Sequence, residues 1–187
     1  MGAVWLTADG RLPSALHKGV VMSVLTRDVI LREMAADTIK ITPFTPDQLG
    51  PASVDLHLDS TFWLFENRHT VHEVSEVSDF ELLTRKVDGE GVLLQSGETV
   101  LGLTVERITL APSLCGWLEG RSRFARLGLA VHVTAGFLHP GIDNRQVLEM
   151  TNLGPTPLLL RPGVRVCQLV VERCEGEAVY HGRFAVQ

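Results

Sequence analysis

The 187-residue sequence lacks the features that mark several classes of protein. No apolar run approaches the roughly 18 residues that a membrane-spanning helix needs, so no membrane attachment is expected. The N-terminus has no basic start followed by a long apolar stretch, which disfavours a secretory signal. Lys and Arg total 17 against 22 Asp and Glu, a net charge of −5. This acidity disfavours nucleic-acid binding, which normally needs a basic face.

Cysteine and the common metal and nucleotide motifs are also scarce. The three cysteines, Cys115, Cys167 and Cys174, cannot all pair with one another, and none lies in a CxxC. We therefore expect reduced thiols in a cytoplasmic protein. The zinc-deaminase signature H-x-E with P-C-x-x-C is absent. HExxH, Walker, GxGxxG and GxSxG motifs are absent too, which disfavours a zinc site, a dinucleotide or P-loop fold and a serine hydrolase.

Length and patterning indicate one domain. Residues 1–21 have mixed polarity without periodicity and are predicted to form an N-terminal arm, while residues 22–187 form a single domain. Within that domain, Thr26 is predicted to cap a helix that runs to about Ala36. Pro43 then interrupts the chain.

Short alternating runs dominate the sequence after Ser53. In one of them, Val54, Leu56 and Leu58 would share a face, and Ser96-Gly97 is a turn signal between two others. Many short strands separated by Gly and Pro turns favour a sandwich or barrel. The predicted fold is therefore mainly β with one N-terminal helix.

Residues 120–126, GRSRFAR, gather three arginines in an acidic protein. Gly120 would let the backbone approach an anion, and Ser122 offers a hydroxyl beside backbone N–H groups that open a helical turn. Arg121 or Arg126 can bind phosphate oxygens bidentately. The segment is thus a candidate polyphosphate cradle. The alternative is a solvated basic turn that pairs with the surplus carboxylates.

Glu149 lies between Leu148 and Met150 in a strand-like segment, so its side chain should point away from both. It faces either solvent or a cavity, and in a dry cavity it could act as a general acid and base. His132 alternates within LAVHVTA and either faces a site or is a hydrogen-bonded, half-core histidine. His139, in LHPG, reads by itself as a polar loop residue.

Together these segments resemble the dCTP deaminase family within the dUTPase-like superfamily. The family motifs are P-x-S-x-D-L-R-L-G, G-R-S-S-x-A-R-L-G-L, H-x-T-A-x-x-I-D-P-G, the strand with the catalytic glutamate, and R-P-G-x-x-I-x-Q-L. In the same order, this sequence has PASVDLHL, GRSRFARLGL, VHVTAGFLHPG, VLEM and RPGVRVCQLV. The resemblance covers roughly residues 22–175.

The resemblance implies a dUTPase-like distorted jelly-roll or β-barrel with a short N-terminal helix. It implies zinc-independent hydrolytic deamination of dCTP to dUTP and ammonia in pyrimidine deoxynucleotide metabolism, with Mg²⁺ carried by the nucleotide phosphates. It also implies a homotrimer with sites at subunit interfaces, with dUTP as a further ligand and dTTP as an effector.

Carried over by position, Glu149 would be the general base, with Ser122 and Arg126 beside the phosphates and the catalytic water. Arg121 would contact phosphate, and backbone groups of Val133, Thr134 and Ala135 would read the cytosine edge. The resemblance gives Asp55 a structural role. The other residues it places in the substrate site are Arg123, His139, Gln168, Tyr180 and Arg183.

The sequence departs from the family pattern at several places, one of which is Arg123 in place of the second serine of G-R-S-S. I-D-P-G is Leu138-His139-Pro140-Gly141 here, so the aspartate by the sugar is His139. Asn144 stands where the pattern has glycine, and the late K-Y-x-x-Q segment has only Tyr180 and Arg183 to match it. Two alternatives to dUTP formation therefore stay open. One is a bifunctional, dUMP-forming deaminase and diphosphatase, and the other is a catalytically impaired nucleotide-binding paralogue.

Overall fold

The computed structural model describes residues 23–66, 71–132 and 134–185, so the predicted N-terminal arm lies outside the described residues. Helix α1 spans Arg27–Ala35, as predicted within one residue at its C-terminal end. Thr26 precedes it in an extended conformation, but its hydroxyl donates to Asp28 Oδ1 and accepts no backbone N–H. The predicted side-chain cap is therefore wrong. No helix in the described segments is long and apolar enough to cross a membrane.

Strand is the dominant secondary structure, at 46% against 12% helix, which confirms the mainly β prediction. Apart from α1, the described residues hold one four-residue helix, α2 (Ser122–Ala125), and short 3₁₀ turns at Pro46–Gln48 and Phe80–Leu82. The strands are β1 (Ile39–Thr42), β2 (Val54–Phe65), β3 (Thr84–Asp88), β4 (Val92–Leu94), β5 (Thr99–Leu110), β6 (Leu114–Gly120), β7 (Leu129–Val131), β8 (Phe137–Leu138), β9 (Asp143–Asn152), β10 (Leu158–Leu160) and β11 (Arg165–Arg173).

Nine strands form one antiparallel sheet that curls into a half-barrel. Its order is β7-β9-β5-β2-β11-β6-β8, with β1 added to β5 and β3 added to β2. The remaining strands, β4 and β10, form a separate ladder. The long strand β2 occupies the middle of the order and pairs with β3, β5 and β11. Curling encloses one face of the sheet, where the core forms.

The period-2 pattern of β2 sets which residues enter the core. Val54, Leu56 and Leu58 are 0–1% exposed, as their alternation predicted. On β9, Leu148 and Met150 are both 0% exposed. Glu149 therefore has its two neighbours anchored in the core, and its own side chain projects to the opposite face.

Three strands were not predicted from the sequence: β1 and β8 are only four and two residues long, and β3 is largely polar. IKIT forms β1 against β5, and TRKVD forms β3 against β2. Their hydrogen-bonding partners lie far away in sequence, so local patterning gives little signal for them.

Candidate active site

Glu149 lies in a cleft of about 800 Å³. Strand β9 supplies the carboxylate, which is opposite Leu101 of β5. The cleft is rich in aromatic side chains, to which the segment after β11 contributes: Trp63, Phe65, Phe80, Phe137, Tyr180 and Phe184. The Glu149 side chain is 36% exposed, but its Oε2 atom is buried. Of the two orientations predicted for Glu149, solvent or cavity, the cavity is the one observed.

His132 is the nearest polar neighbour of this carboxylate. Its Nδ1 lies 2.7 Å from Glu149 Oε2, and both atoms are buried, although the angle between them is not that of a hydrogen bond. Its backbone N–H donates to the Glu149 carbonyl at 2.7 Å. Two bare lone pairs would repel at this distance, so the contact is favourable only with a proton on one of the two groups. The carboxylate and the imidazole therefore form a buried polar contact.

The backbone explains how His132 reaches this position. The expected strand LAVHVTA ends at Val131, and His132 adopts a left-handed φ of 53°. A non-glycine residue in this region is uncommon and directs its side chain out of the alternation. The prediction that His132 continues the strand is therefore wrong, and the turn places its ring against Glu149.

The arginine turn, residues 120–126, is fixed to the sheet through Arg121. Arg121 Nη2 lies 3.0 Å from Asp55 Oδ2, and Arg121 Nη1 donates to the Arg165 carbonyl at 2.9 Å. Asp55 thus ties the turn to β2, in line with the structural role that the resemblance gives it. With two protein partners, the Arg121 guanidinium is already engaged on the scaffold.

The next residues of the turn are presented to solvent. Ser122 is the first residue of α2, and Ser122, Arg123 and Arg126 are exposed. Arg123 and Arg126 make no ion pair with any described residue. Gly128 ends the turn with a φ of 91°. The position requires glycine, because a Cβ there would lie 2.6 Å from the Gly154 backbone. The turn therefore offers one hydroxyl and two uncommitted guanidinium groups on a rigid base.

The turn and the carboxylate occupy different clefts of one chain. A second cleft of about 670 Å³ is lined by Gly120, Ala125, Gly128 and Thr134. Ser122 and Arg126 are absent from the lining of the Glu149 cleft, and His132 is the residue that the two clefts share. Within a single chain, the geometry does not bring Ser122 and Arg126 together with Glu149.

The remaining predicted residues are distributed around these clefts. Val133 lies outside the described residues, Thr134 lines the second cleft and Ala135 lines the Glu149 cleft. Gln168 is in β11, away from the Glu149 cleft, and its Oε1 accepts a hydrogen bond from Ser53 at 3.1 Å.

His139, Tyr180 and Arg183 line the Glu149 cleft, where the His139 and Tyr180 rings are stacked. Arg183 donates to Asp79 Oδ2 at 2.7 Å. These three predicted residues thus lie on the same cleft as Glu149.

A buried polar network around Glu106 of β5 was not predicted from the sequence, although the strand pattern there indicates it. Glu106 is 1% exposed, and its carboxylate accepts from Gln48 Nε2 at 2.8 Å and from the His57 backbone N–H at 2.9 Å. Its Oε1 also lies 2.6 Å from His57 Nδ1. Glu106 lies in VERITL, where it alternates in step with Ile108 and Leu110, which are 0% and 1% exposed. The alternation of β5 therefore places its side chain on the buried face.

Potential metal ligands do not cluster in the described part of the chain. No group of three or more His, Cys, Asp or Glu side chains there is placed to hold a metal ion.

Comparison with known proteins agrees with the motifs. The family model described as dCTP deaminase-like matches residues 24–174. Proteins named "dCTP deaminase, dUMP-forming" are similar over most of the chain. The one from Salinispora tropica is 38% identical over 164 residues, 83% of this chain and 85% of that protein. The one from Nocardioides sp. is 36% identical over 176 residues, 89% of this chain and 91% of that protein.

A solved structure supports the fold. The 2'-deoxycytidine 5'-triphosphate deaminase from Agrobacterium tumefaciens superposes with a TM-score of 0.66 at 22% identity, covering 82% of this chain. The match covers 49% of the Agrobacterium chain, so this chain spans about half of its length. The predicted dUTPase-like fold is confirmed. The family match and the curated relatives together establish that the chain belongs to the dCTP deaminase-like family.

Proposed function

We propose that this protein is a hydrolase that deaminates dCTP to dUTP and ammonia. The observation that carries the proposal is the Glu149 carboxylate, with one oxygen shielded from water against His132 in an aromatic-lined cleft. Such a carboxylate can accept and donate protons at a pyrimidine ring bound in the cleft. Family membership gives the substrate class, a cytosine deoxynucleotide.

Glu149 would act twice in the reaction. It takes a proton from water as the water oxygen bonds to C4 of cytosine. It passes this proton to N3 of the ring, then takes the proton of the C4 hydroxyl and delivers it to the exocyclic nitrogen, so that the C4–N bond breaks, the C4 carbonyl forms and ammonia leaves. The overall change is dCTP plus water to dUTP plus ammonia. His132 would position the carboxylate through the 2.7 Å contact between its Nδ1 and Glu149 Oε2.

The triphosphate would be bound by Ser122, Arg123 and Arg126, because these groups are exposed and uncommitted within the described chain. Mg²⁺ would enter with the nucleotide phosphates. The turn of a neighbouring copy would then complete each site in a homotrimer. Apolar side chains exposed beside the turn support such an interface, since Leu127 is 59% and Leu153 is 73% exposed.

Ammonia release from dCTP tests the deaminase proposal directly. We expect turnover by the wild-type protein and a loss of about 10²- to 10⁴-fold in Glu149→Gln, as for removal of a general base. Glu90→Gln, at an exposed position, is the matched control and should keep wild-type activity. A folded wild-type protein that binds dCTP without turnover would instead support the impaired nucleotide-binding paralogue.

Mixed assemblies test whether two copies share a site. Glu149→Gln and Arg126→Ala chains should each be inactive alone. Co-expressed in equal amounts and assembled at random, they should regain about a quarter of wild-type activity, since one site in four takes both intact residues from different chains. If the mixture stays inactive, the base and the phosphate site do not come from different copies.

A dUMP-forming, bifunctional reaction is the second candidate, and the names of the relatives favour it. In that reaction a second water would attack the α-phosphate and release pyrophosphate. His139 argues against it, because the resemblance places an aspartate there, by the water on the phosphate side. Measuring ammonia and pyrophosphate together from dCTP separates the two. Equal amounts indicate dUMP formation, and ammonia alone indicates dUTP.

A further inference from the structure

The segment after β11 returns across the Glu149 cleft. The Tyr180 backbone N–H donates to the Pro140 carbonyl at 3.0 Å, and Asn144 Nδ2 donates to the Phe184 carbonyl at 2.7 Å. Arg183 reaches the far wall, where it donates to Asp79 Oδ2 and to the Ser78 carbonyl, each at 2.7 Å. Residues 179–184, the C-terminal strap, are thus anchored at both sides of the cleft that holds Glu149.

The ring of His139, although partly exposed, packs against two aromatic neighbours. It stacks on Tyr180 with centroids 4.7 Å apart and planes only 7° from parallel. The Phe137 ring meets it edge-on at 4.8 Å, and Phe137 in turn contacts Trp117 at 4.9 Å. Stacked rings of this geometry attract beyond their buried area. The imidazole therefore packs on the strap with one face and cannot at the same time offer that face to a ligand.

We propose that His139 is a positioning residue that holds the C-terminal strap over the cleft, and that it does not contact the sugar of the nucleotide. This inference rests on the proposed function, because the strap matters only if the cleft binds the nucleotide. It also accounts for Asn144, whose side-chain amide holds the same strap. An aspartate at position 139 could not stack on Tyr180. A glycine at position 144 would have no side-chain amide to donate to the Phe184 carbonyl. The two departures from the family pattern therefore act on one structural element.

The composition provides a direct test, because Tyr180 is the only tyrosine in the sequence. Protein labelled with 3-fluorotyrosine should give one ¹⁹F resonance, displaced by the His139 ring from its position in the urea-unfolded chain. We expect His139→Phe to keep this displacement, since phenylalanine can stack. His139→Ala and His139→Asp should move the resonance toward the unfolded position. An unchanged resonance in His139→Ala would overturn the proposal.

Kinetics give a second measurement. We expect the KM for dCTP to rise roughly two- to tenfold in His139→Ala and His139→Asp, the range for loss of one aromatic pair, with a smaller change in kcat. His139→Phe should remain close to wild type. If His139→Asp instead lowers the KM, the residue acts on the sugar and the proposal is wrong. If the wild-type protein does not turn over dCTP, the proposed function fails, while the ¹⁹F measurement still decides the role of His139.

Discussion

Replacing the buried Glu106 by leucine should be among the most destabilising single changes in the sheet. The carboxylate is 1% exposed and satisfies two donors with little freedom to move: the Gln48 amide at 2.8 Å and the His57 backbone N–H at 2.9 Å. Leucine fits the volume but accepts nothing. Each buried donor left unpaired costs about 1–3 kcal/mol, so Glu106→Leu should lose about 2–6 kcal/mol of unfolding free energy.

Glu106→Gln is the more conservative variant and should be less destabilising than Glu106→Leu. It keeps one accepting oxygen but turns an NH₂ group toward one of the two donors, so it should lose about 1–3 kcal/mol. Urea titration followed by tryptophan fluorescence measures the unfolding free energy of both variants. Trp63 is 8% exposed in the folded protein, so its fluorescence reports on the sheet. Protein concentration must be matched, since assembly contributes to apparent stability.

The exposed Glu90→Leu provides the control and should change the unfolding free energy by less than about 0.5 kcal/mol. A loss below about 1 kcal/mol in Glu106→Leu, with an unchanged urea slope, would refute the assignment of this network as a structural support.

Three further predictions concern acid, thiols and a turn. Hydrogen bonds from Thr38 and then Arg173 hold the pKa of Glu33 below its ordinary value of 4.5. Its contribution to stability is therefore complete above that pH and is lost as the pH falls further, so urea titrations of Glu33→Gln should show a smaller loss in acid. Burial raises the pKa of the Cys115 and Cys167 thiols. Mass spectrometry after alkylation at pH 8 should therefore find Cys174, the least buried of the three cysteines, modified first. Gly128→Ala should lower the free energy of unfolding by about 1–3 kcal/mol in the same titrations. The φ of residue 128 is 91°, and the added Cβ would lie 2.6 Å from the Gly154 backbone nitrogen.

Local patterning was sufficient for the long elements of the fold. Alternation in β2 placed Val54, Leu56 and Leu58 in the core, and Ser96-Gly97 separated β4 from β5. It was insufficient for the short strand β1 and the largely polar strand β3, which are held by hydrogen bonds to β5 and β2. Long-range pairing of this kind is decided by tertiary context.

The candidate site was also predicted only in part from the sequence. Spacing identified Glu149 and the arginine turn as chemically capable groups, and the strand pattern correctly turned Glu149 away from its apolar neighbours. The pattern left His132 between a site-facing and a half-core position, because its contact with Glu149 depends on one left-handed backbone angle. It did not indicate that the turn and the carboxylate lie in separate clefts of one chain. That separation follows from how the sheet closes.

The central position of β2 has a consequence for biosynthesis. Its partner β11 begins more than a hundred residues later, and the pairing joins Val54 to Leu169. On the ribosome, the edge of β2 at residues 54–57 stays unpaired until almost the whole described chain has been synthesised. An exposed strand edge recruits other chains. Nascent chains released before Arg173 should therefore associate with one another or with chaperones, and slowing translation late in the message should reduce the yield of native protein.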